Sequence, residues 1–382
     1  MIKINGKEFR TAIVHDWFCN MGGGDKVAES FLDILPESPI YTSCYLDKSL
    51  TPRLKKANII TSYLQKKLNQ NKDNHQIFLP LMPSAFESFD LSEYDIVLSS
   101  SSCCAKGVIT GPSTVHFCYC HTPMRYAWEF FGEYTENMSP FKKKVVNYIM
   151  NYIRVWDVIS SNRVDFFIAN SENVAKRIWK HYKRESVVIH PPIDTEYFTP
   201  GNEEEDFYLC VSRLVKYKRI DLAIKACNEL KLPLVVIGQG SEYENLRKIA
   251  GPTVRILGRQ SDEIIREYYR KSKAFIFPGE EDFGMTPLES QACGRPVIAY
   301  GRGGALETVV DGKTGVFFYE QNVSALKEVL IKFEKMKFYK DVCRKNAEKF
   351  SKGKFIHDIE LYITTQIEKR DSIEVQNTNL GF

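Results

Sequence analysis

The stretch that most constrains the fold is residues 275–300, FIFPGEEDFGMTPLESQACGRPVIAY. Two short apolar runs enclose an acidic turn and a helical segment, and this order predicts a β-strand, a loop, an α-helix and a second β-strand. Thr286 is a favourable N-cap, Pro287 suits the first helical position, and Gly294 is typical of a helix end. The sequence therefore predicts a βαβ unit, whose first loop lies where open α/β sheets bind their ligands.

Two carboxylates bracket this predicted loop. Glu281 lies in the loop and Glu289 lies one turn into the helix, with seven residues between them. A helix N-terminus offers free backbone N–H groups and a partial positive charge, and Gly284 lets the backbone approach a ligand closely. Since carboxylates accept hydrogen bonds from hydroxyls, the loop suits an anion that is flanked by sugar hydroxyls. Thr286 and Glu289 also have the spacing of a capping box, which is a purely structural alternative for Glu289.

Further blocks accompany this motif along the chain. They are Gly22–Val27, His121–Tyr126, Ser212–Leu214 with Lys216 and Lys218, Val236–Gly240, Gln291–Val297 and Gly303–Glu307. Together with EDFGMTPLE, which resembles an E-x7-E motif, they resemble retaining glycosyltransferases of the GT-B fold, family 4, over about residues 10–365. The resemblance implies an α/β fold of two doubly wound Rossmann-like domains that face a central cleft, with the nucleotide-sugar donor mainly on the C-terminal domain.

Chain length and composition agree with a two-domain protein. The chain has 382 residues, of which 43% are hydrophobic and 26% are charged. A proline-rich and then acidic segment, residues 190–202, predicts the linker. We therefore expect an N-terminal acceptor-side domain over residues 1–198 and a C-terminal donor domain over 199–352. In residues 353–382 we expect a helix, which by the resemblance crosses back to the first domain, and a loose tail from Arg370.

The first residues of the chain lead us to expect a cytoplasmic protein. No apolar segment follows the first residues and no run approaches the length of a membrane span, so we expect its ten cysteines to be reduced. A net charge of +4 is too small to argue for nucleic acid as a partner. Residues 141–159 are basic and aromatic. They predict either a helix with a solvated face or peripheral contact with an anionic membrane at its inner face.

The N-terminal half carries a glycine turn between a predicted strand and a predicted helix, which is a common anion site. Its residues are Gly22, Gly23 and Gly24. His121 ends the predicted strand Thr114–Cys120, and Arg125 follows closely. The resemblance implies that the glycines face the donor phosphates and that His121 is catalytic through contact with the transferred sugar. Arg125 suits a phosphate or carboxylate of the acceptor because its guanidinium binds either.

One strand of this half carries potential metal ligands. His116, Cys118 and Cys120 alternate along Thr114–Cys120 and therefore share one face. Ligands that crowd one face of a strand rarely close a tetrahedral site without more distant partners. We therefore expect buried strand side chains here and no metal site.

The resemblance also implies a set of donor-binding residues in the C-terminal half. They are Arg213, Lys218, Gly238, Arg259, Phe283, Gly284, Met285, Thr286 and Glu289. Arg213 and Lys218 would hold the diphosphate and stabilise its leaving charge. Glu289 would bind the ribose hydroxyls and Arg259 the base. Glu281 would act as a catalytic residue that binds the sugar together with the amides of 283–286. Because cations and a helix N-terminus already neutralise the diphosphate, we expect no metal and no cofactor.

A dinucleotide fingerprint is the main competing pattern in this half. Gly238 and Gly240 fit G-x-G-x-x-G, but Tyr243 occupies the third glycine position, which disfavours a nicotinamide or flavin enzyme.

The resemblance favours transfer of a hexose, with retention as an α-linkage, to a glycan or lipid-linked saccharide. HTPMRYAW is most similar to the branch that builds bacterial surface polysaccharides, which suggests mannose from GDP-mannose. The alternatives are a UDP-sugar donor (glucose, galactose or N-acetylglucosamine), a nucleotide-sugar 2-epimerase, and a non-catalytic sugar-nucleotide binding subunit. The last is disfavoured because both Glu281 and His121 are present.

Overall fold

The computed structural model describes residues 2–70, 75–129, 132, 135 and 138–379. It contains two compact units. The first comprises the residues up to Ile189 together with those from Phe355 onward, and the second comprises His190–Lys354. The boundary lies ahead of the predicted position at residue 198, because the side chains of Ile193 and Phe198 are buried in the core of the second unit.

Fifteen strands are assigned in the described residues. They are β1 (Ile2–Ile4), β2 (Lys7–Phe9), β3 (Thr11–His15), β4 (Ile40–Thr42), β5 (Ile59–Thr61), β6 (Ile96–Ser101), β7 (Val115–Cys120), β8 (Phe166–Ala169), β9 (Ser186–Val188), β10 (Tyr208–Val211), β11 (Leu234–Ile237), β12 (Val254–Ile256), β13 (Ala274–Phe277), β14 (Val297–Tyr300) and β15 (Gly315–Phe318).

The α-helices in the described residues connect these strands. They are α1 (Gly23–Ile34), α2 (Leu64–Gln70), α3 (Met82–Glu87), α4 (Arg125–Trp128), α5 (Pro140–Ser161), α6 (Glu172–Tyr182), α7 (Ile220–Leu230), α8 (Tyr243–Ile249), α9 (Asp262–Lys271), α10 (Met285–Ala292), α11 (Ala305–Thr308), α12 (Val323–Phe333), α13 (Lys340–Glu348) and α14 (Lys352–Asn379).

Each unit is organised around one parallel sheet. The order in the first unit is β5-β4-β3-β6-β7-β8-β9, and in the second it is β12-β11-β10-β13-β14-β15. In both sheets the strand order reverses beside the first strand, which leaves a crevice outside the carboxyl ends of the strands. The predicted fold class, two doubly wound Rossmann-like domains, is confirmed.

The central strands and helices agree best with the sequence prediction. The sequence predicts a strand over Ala274–Phe277 and a helix over Ile220–Leu230, and β13 and α7 have these bounds. It also predicts Ser171 as a helix cap, and Ser171 caps α6 by accepting a hydrogen bond from the amide of Val174. The strands that the sequence did not predict are β1, β2, β5 and β15. The first three have only three residues each, too few for a recognisable alternation of apolar and polar positions.

The last helix differs from its prediction. We expected a loose tail from Arg370, but α14 continues to Asn379, and residues 380–382 lie outside the described part of the chain. Its apolar side chains recur every four residues and are buried in the core of the first unit. They are Phe355, Ile359, Ile363 and Ile367. This spacing forms one helical face, which packs the helix against the core of the first unit as far as Ile367.

Two further observations concern the whole described chain. None of its helices combines the length and apolar character that a membrane crossing requires. All ten cysteines are buried free thiols.

Candidate functional site

The second unit gathers the loops that follow four neighbouring strands, β11, β10, β13 and β14, at one edge of its sheet. Glycines permit this close approach. A Cβ atom on Gly238, which has a φ of +148°, would lie 1.8 Å from the backbone oxygen of Ser212. A Cβ on Gly304 would lie 2.2 Å from the Cα of Phe283. The loops are therefore stacked backbone against backbone, and their side chains converge at the carboxyl edge of the sheet.

The central interaction in these loops is an ion pair between Lys218 and Glu281. Lys218 ends the 3₁₀ turn Lys216–Lys218 after β10, and Glu281 lies in the loop after β13. The two side chains are only 18% and 15% exposed. The backbone oxygen of Glu281 also accepts a hydrogen bond from the amide of Gly304 at 2.9 Å. The structure therefore brings together two residues that the sequence assigned to neighbouring parts of one ligand.

Helix α10 begins two residues earlier than predicted, at Met285 instead of Pro287. Its N-cap is Gly284, whose φ of +97° lies in the left-handed region, and its first residue is Met285. The prediction of Thr286 as N-cap was wrong because glycine adopts this conformation far more readily than threonine. The helix still directs its N-terminus into the loop region. Phe283 is buried and stacks on the ring of His190, with 5.0 Å between centroids, so its backbone rather than its ring is available to a ligand.

Glu289 is held by a partner from another helix. The hydroxyl of Tyr269 in α9 donates a hydrogen bond to its Oε2 atom at 3.1 Å. Burial, followed by the charge of Glu289, raises the pKa of Tyr269, so the phenol remains a donor. The capping-box alternative is wrong because the cap is Gly284 and not Thr286. Tyr269 was missed by the sequence analysis, since nothing local links it to Glu289.

The two predicted arginines of this half are exposed at the same edge of the sheet. Arg213 follows β10, and its Nη2 donates to the hydroxyl of Tyr217 at 3.2 Å. Arg259 follows β12, and the preceding residue, Gly258, accepts a hydrogen bond from the amide of Gly238 at 2.9 Å. The cations of this edge thus extend from β10 to the outer strand β12.

In the first unit, the glycine turn lies beside His121. The sequence predicts a helix over Asp25–Leu35, but α1 begins two residues earlier, at Gly23. The carboxylate of Asp25 accepts a hydrogen bond from the amide of Gly22 at 2.6 Å and so stabilises this earlier start. A Cβ on Gly24 would lie 3.4 Å from Nε2 of His121. The turn after β3 and the residue after β7 are therefore neighbours across the end of β6.

A chain of buried hydrogen bonds joins this histidine to the glycine turn. Nε2 of His121 lies 2.8 Å from the hydroxyl of Ser100, which lies 3.1 Å from Nδ1 of His15. Nε2 of His15 lies 2.9 Å from Oδ1 of Asp25. Burial, together with the nearby His15, lowers the pKa of His121 to about 3. The sequence contains only a weak signal for this series of hydrogen bonds, namely that His15 ends the apolar run of β3.

Arg125 occupies an acidic environment. Its Nε lies 3.6 Å from Oε2 of Glu129, and the side chain is 11% exposed. Glu129 also binds Nε of Arg177 through Oε1 at 2.8 Å. The sequence analysis missed Glu129 and Arg177. An anion that binds Arg125 would therefore encounter two guanidinium groups, those of Arg125 and Arg177, which share the carboxylate of Glu129.

The histidine and cysteines of β7 are core side chains. Nε2 of His116 lies 2.8 Å from the hydroxyl of Ser99, and burial lowers the pKa of His116 to about 4. Burial raises the pKa of Cys118 to about 12. Among the residues that the structure describes, no group of three or more His, Cys, Asp or Glu side chains is arranged to hold a metal ion.

Two family models match adjoining parts of this chain. Residues 194–350 match glycosyl transferases group 1, and residues 51–197 match glycosyltransferase family 4. An uncharacterised glycosyltransferase of Methanocaldococcus jannaschii is 28% identical over 49% of this chain and 55% of the relative. The GDP-mannose-dependent alpha-(1-6)-phosphatidylinositol monomannoside mannosyltransferase of Mycolicibacterium smegmatis is 30% identical over 36% of this chain and 44% of the relative. The chain thus spans about half the length of these relatives.

The fold is shared with solved structures. HepE of Anabaena, solved in complex with UDP and glucose, superposes with a TM-score of 0.68 over 94% of this chain and 100% of HepE, at 15% identity. At this identity the likeness concerns the fold alone. It confirms the predicted GT-B class.

The low pKa of His121 gives a direct test of the site geometry. A histidine with an ordinary pKa near 6.5 titrates between pH 5 and 8, whereas His121, lowered to about 3, stays neutral throughout that range. The ring resonances of His121, assigned by comparison with a His121→Gln variant, should therefore not move in an NMR titration from pH 8 to pH 5. A midpoint near 6.5 would contradict the described burial.

Proposed function

We propose that this chain, which is family 4-like in sequence, transfers a hexose from a nucleotide sugar to a hydroxyl group. The premise is that two glycosyltransferase models together match residues 51–350. The transfer retains the anomeric configuration of the sugar, so that the product has an α-linkage. The acceptor is a glycan or a lipid-linked saccharide in the synthesis of a surface polysaccharide. The observation that carries the proposal is the half-buried pair of Lys218 and Glu281, a cation and a carboxylate at the carboxyl ends of two adjacent strands.

This pair suits a sugar diphosphate because it contains both groups that such a ligand needs. The ammonium of Lys218 exchanges Glu281 for the donor diphosphate, and Arg213 supplies a second charge from the same loop. Departure of the nucleoside diphosphate adds negative charge to its terminal phosphate, and fixed cations stabilise that charge in the transition state. The carboxylate of Glu281, released from Lys218, then accepts hydrogen bonds from the sugar.

The remaining residues orient the donor and the acceptor. Glu289, held by Tyr269, binds the ribose hydroxyls, and the N-terminus of α10 faces the sugar phosphate. His121 contacts the transferred sugar, and Arg125 binds the acceptor. Retention needs no protein nucleophile, because a donor phosphate oxygen assists deprotonation of the acceptor on the same face. The cations and the helix N-terminus neutralise the diphosphate, so the reaction needs no metal ion.

We propose GDP-mannose as the donor, with UDP-sugars as the second candidate. The sequence HTPMRYAW supports mannose, and one relative is named as a GDP-mannose-dependent enzyme. The second candidate is supported by HepE, which was solved with UDP and glucose. Arg259, exposed beyond β12, is the proposed contact to the base.

We also propose peripheral contact of α5 with an anionic membrane. Its first half exposes a stripe of apolar side chains at helical spacing, including Phe141 at 78% and Tyr148 at 80% exposure. Lys142, Lys143 and Lys144 lie beside the stripe and are exposed. Apolar side chains next to a basic cluster fit the boundary between lipid headgroups and acyl chains.

Replacing either member of the central pair should have a different effect: the Glu281 variant should transfer sugar more slowly but keep nucleotide binding, and the Lys218 variant should bind the diphosphate more weakly. Glu281→Gln replaces the charged acceptor of the proposed sugar hydrogen bonds by a neutral amide and should lower sugar transfer at least about tenfold, yet it frees Lys218 and should not weaken binding of GDP or UDP. Lys218→Met should weaken diphosphate binding by about 10- to 100-fold, the effect of losing one charged hydrogen bond. Calorimetric titration and donor turnover measure the two effects, with Glu280→Gln as the matched control. Wild-type turnover by Glu281→Gln would remove Glu281 from the mechanism.

Thermal unfolding with nucleoside diphosphates tests the choice of donor. A ligand at 100 times its Kd stabilises the native state by about 2.7 kcal/mol. GDP should therefore raise Tm more than UDP or ADP at equal concentration. A larger shift with UDP would instead favour a UDP-sugar as the donor.

A chelator tests whether the reaction needs a metal ion. Neither the Tm shift nor donor turnover should change with a chelator present, and a loss that only a divalent ion restores would refute the metal-free reaction. Turnover that releases an epimer or free sugar without acceptor would indicate an epimerase.

Membrane contact is testable by co-sedimentation with vesicles of phosphatidylglycerol and phosphatidylcholine. The double variant Phe141→Glu, Tyr148→Glu should lose binding because it places acids in the apolar stripe. The control is Tyr319→Glu, Tyr339→Glu, which changes two tyrosines of similar exposure in the second unit. Binding that persists in the first variant, or that is lost equally in both, would contradict the role of α5.

A further inference from the structure

We propose that His15 and Asp25 are positioning residues that fix the tautomer of His121 through the hydroxyl of Ser100. The proposal concerns which ring nitrogen of His121 carries the hydrogen. It rests on the proposed function only in its last step, the use of the other nitrogen by a sugar hydroxyl.

The four side chains form one connected series inside the first unit. Asp25 comes from the start of α1, His15 from the end of β3, Ser100 from β6, and His121 from the residue after β7. Asp25, His15 and Ser100 are 8%, 4% and 0% exposed, so the protein supplies their partners. The three joining distances, 2.9, 3.1 and 2.8 Å, are all within hydrogen-bond range.

The direction of these hydrogen bonds is set at the acidic end. Oδ2 of Asp25 accepts the amide of Gly22 at 2.6 Å, while Oδ1 faces Nε2 of His15 at 2.9 Å. An ionised carboxylate can only accept, so Nε2 of His15 carries a hydrogen. In a neutral ring, Nδ1 of His15 is then an acceptor, and the hydroxyl of Ser100 must donate to it.

The same reasoning determines the state of His121. A serine hydroxyl has one hydrogen, and Ser100 uses it in the hydrogen bond that it donates to Nδ1 of His15. Its oxygen therefore accepts from Nε2 of His121, and Nδ1 of His121 carries a lone pair. Within the described residues, Nδ1 of His121 makes no hydrogen bond. It is thus available to accept a hydrogen bond from a sugar hydroxyl, whereas the opposite tautomer would present an N–H group.

The lowered pKa of His121 agrees with this description, because a ring that stays neutral has a defined tautomer. The backbone oxygen of Ser100 lies 3.2 Å from Nδ1 of His15. A doubly protonated His15 would donate from Nδ1 to this oxygen, free the Ser100 hydroxyl and reverse the bond to His121. The experiment must therefore determine the protonation of both the His15 ring and the His121 ring.

The test is long-range ¹H–¹⁵N NMR of the full chain labelled in its histidines, at pH 8. The wild-type protein should show a protonated Nε2 and an unprotonated Nδ1 for His121. Asp25→Asn should reverse the tautomer of His121. The amide oxygen of the new side chain still accepts the hydrogen bond from the amide of Gly22, while its NH₂ group donates to Nε2 of His15. His15 then donates from Nδ1, and Ser100 donates to His121.

A matched pair of serine variants isolates the connection. Ser100→Ala removes the link and should leave His121 as a mixture of tautomers. Ser99→Ala removes an equally buried hydroxyl that binds His116 instead, and it should leave the His121 spectrum unchanged. An Nδ1-protonated His121 in the wild-type protein would overturn the proposal, even if no variant could be purified folded. An unchanged tautomer in Ser100→Ala would do the same.

Activity provides a separate readout. Asp25→Asn should lower the turnover of GDP-mannose or UDP-glucose at least about tenfold, the loss expected for one hydrogen bond, while GDP and UDP bind with unchanged affinity. The NMR result needs no substrate. A chain without transfer activity would therefore refute the proposed function and leave the tautomer assignment standing, whereas full turnover with a reversed tautomer would refute the role of Nδ1.

Discussion

The candidate donor site depends on the close approach of backbone loops at one edge of the second sheet. Gly238 and Gly304 lie where any Cβ atom would overlap a neighbouring loop, so side-chain-free positions set the spacing between the loops. This spacing places the ammonium of Lys218 against the carboxylate of Glu281 although more than sixty residues separate them along the chain. Chemistry at this edge is therefore a property of the stacked loops, and the residues that carry charge are positioned by residues that carry none.

The two units use the same sheet edge differently. In the second unit, opposite charges meet directly in the pair of Lys218 and Glu281, which we propose to be exchanged for a ligand of mixed character. In the first unit, a neutral histidine is connected to a buried carboxylate through two intervening groups. In the proposed function, the pair in the second unit supplies electrostatic stabilisation, and the series in the first unit supplies orientation. A transferase that moves a neutral sugar from a charged carrier needs both.

The sequence predicted those features that depend on local pattern. Strand β13 and helix α7 were predicted to the residue because apolar runs and helix signals fall within a few positions. The helix start at Gly284 was missed because Thr286 has the stronger N-cap preference, whereas the left-handed backbone of Gly284 is visible only in the structure. Tyr269 and the series from Asp25 to His121 were missed for a related reason. Each joins residues from different elements, and no spacing along the chain encodes such contacts. The resemblance drew attention to Glu281 and His121 through their motifs, and their proposed roles stay predictions.

The four apolar residues of α14 have a consequence for synthesis of the protein. They complete the core of the first unit, where Phe355 stacks on Phe31 with 6.0 Å between ring centroids, yet they follow the whole second unit in the chain. During translation, the N-terminal sheet must leave the ribosome with this part of its core uncovered. The second unit is continuous in sequence and has all its own residues earlier. The order of domain maturation on the ribosome would then be the reverse of the order of translation, with the N-terminal unit protected only after the last helix emerges.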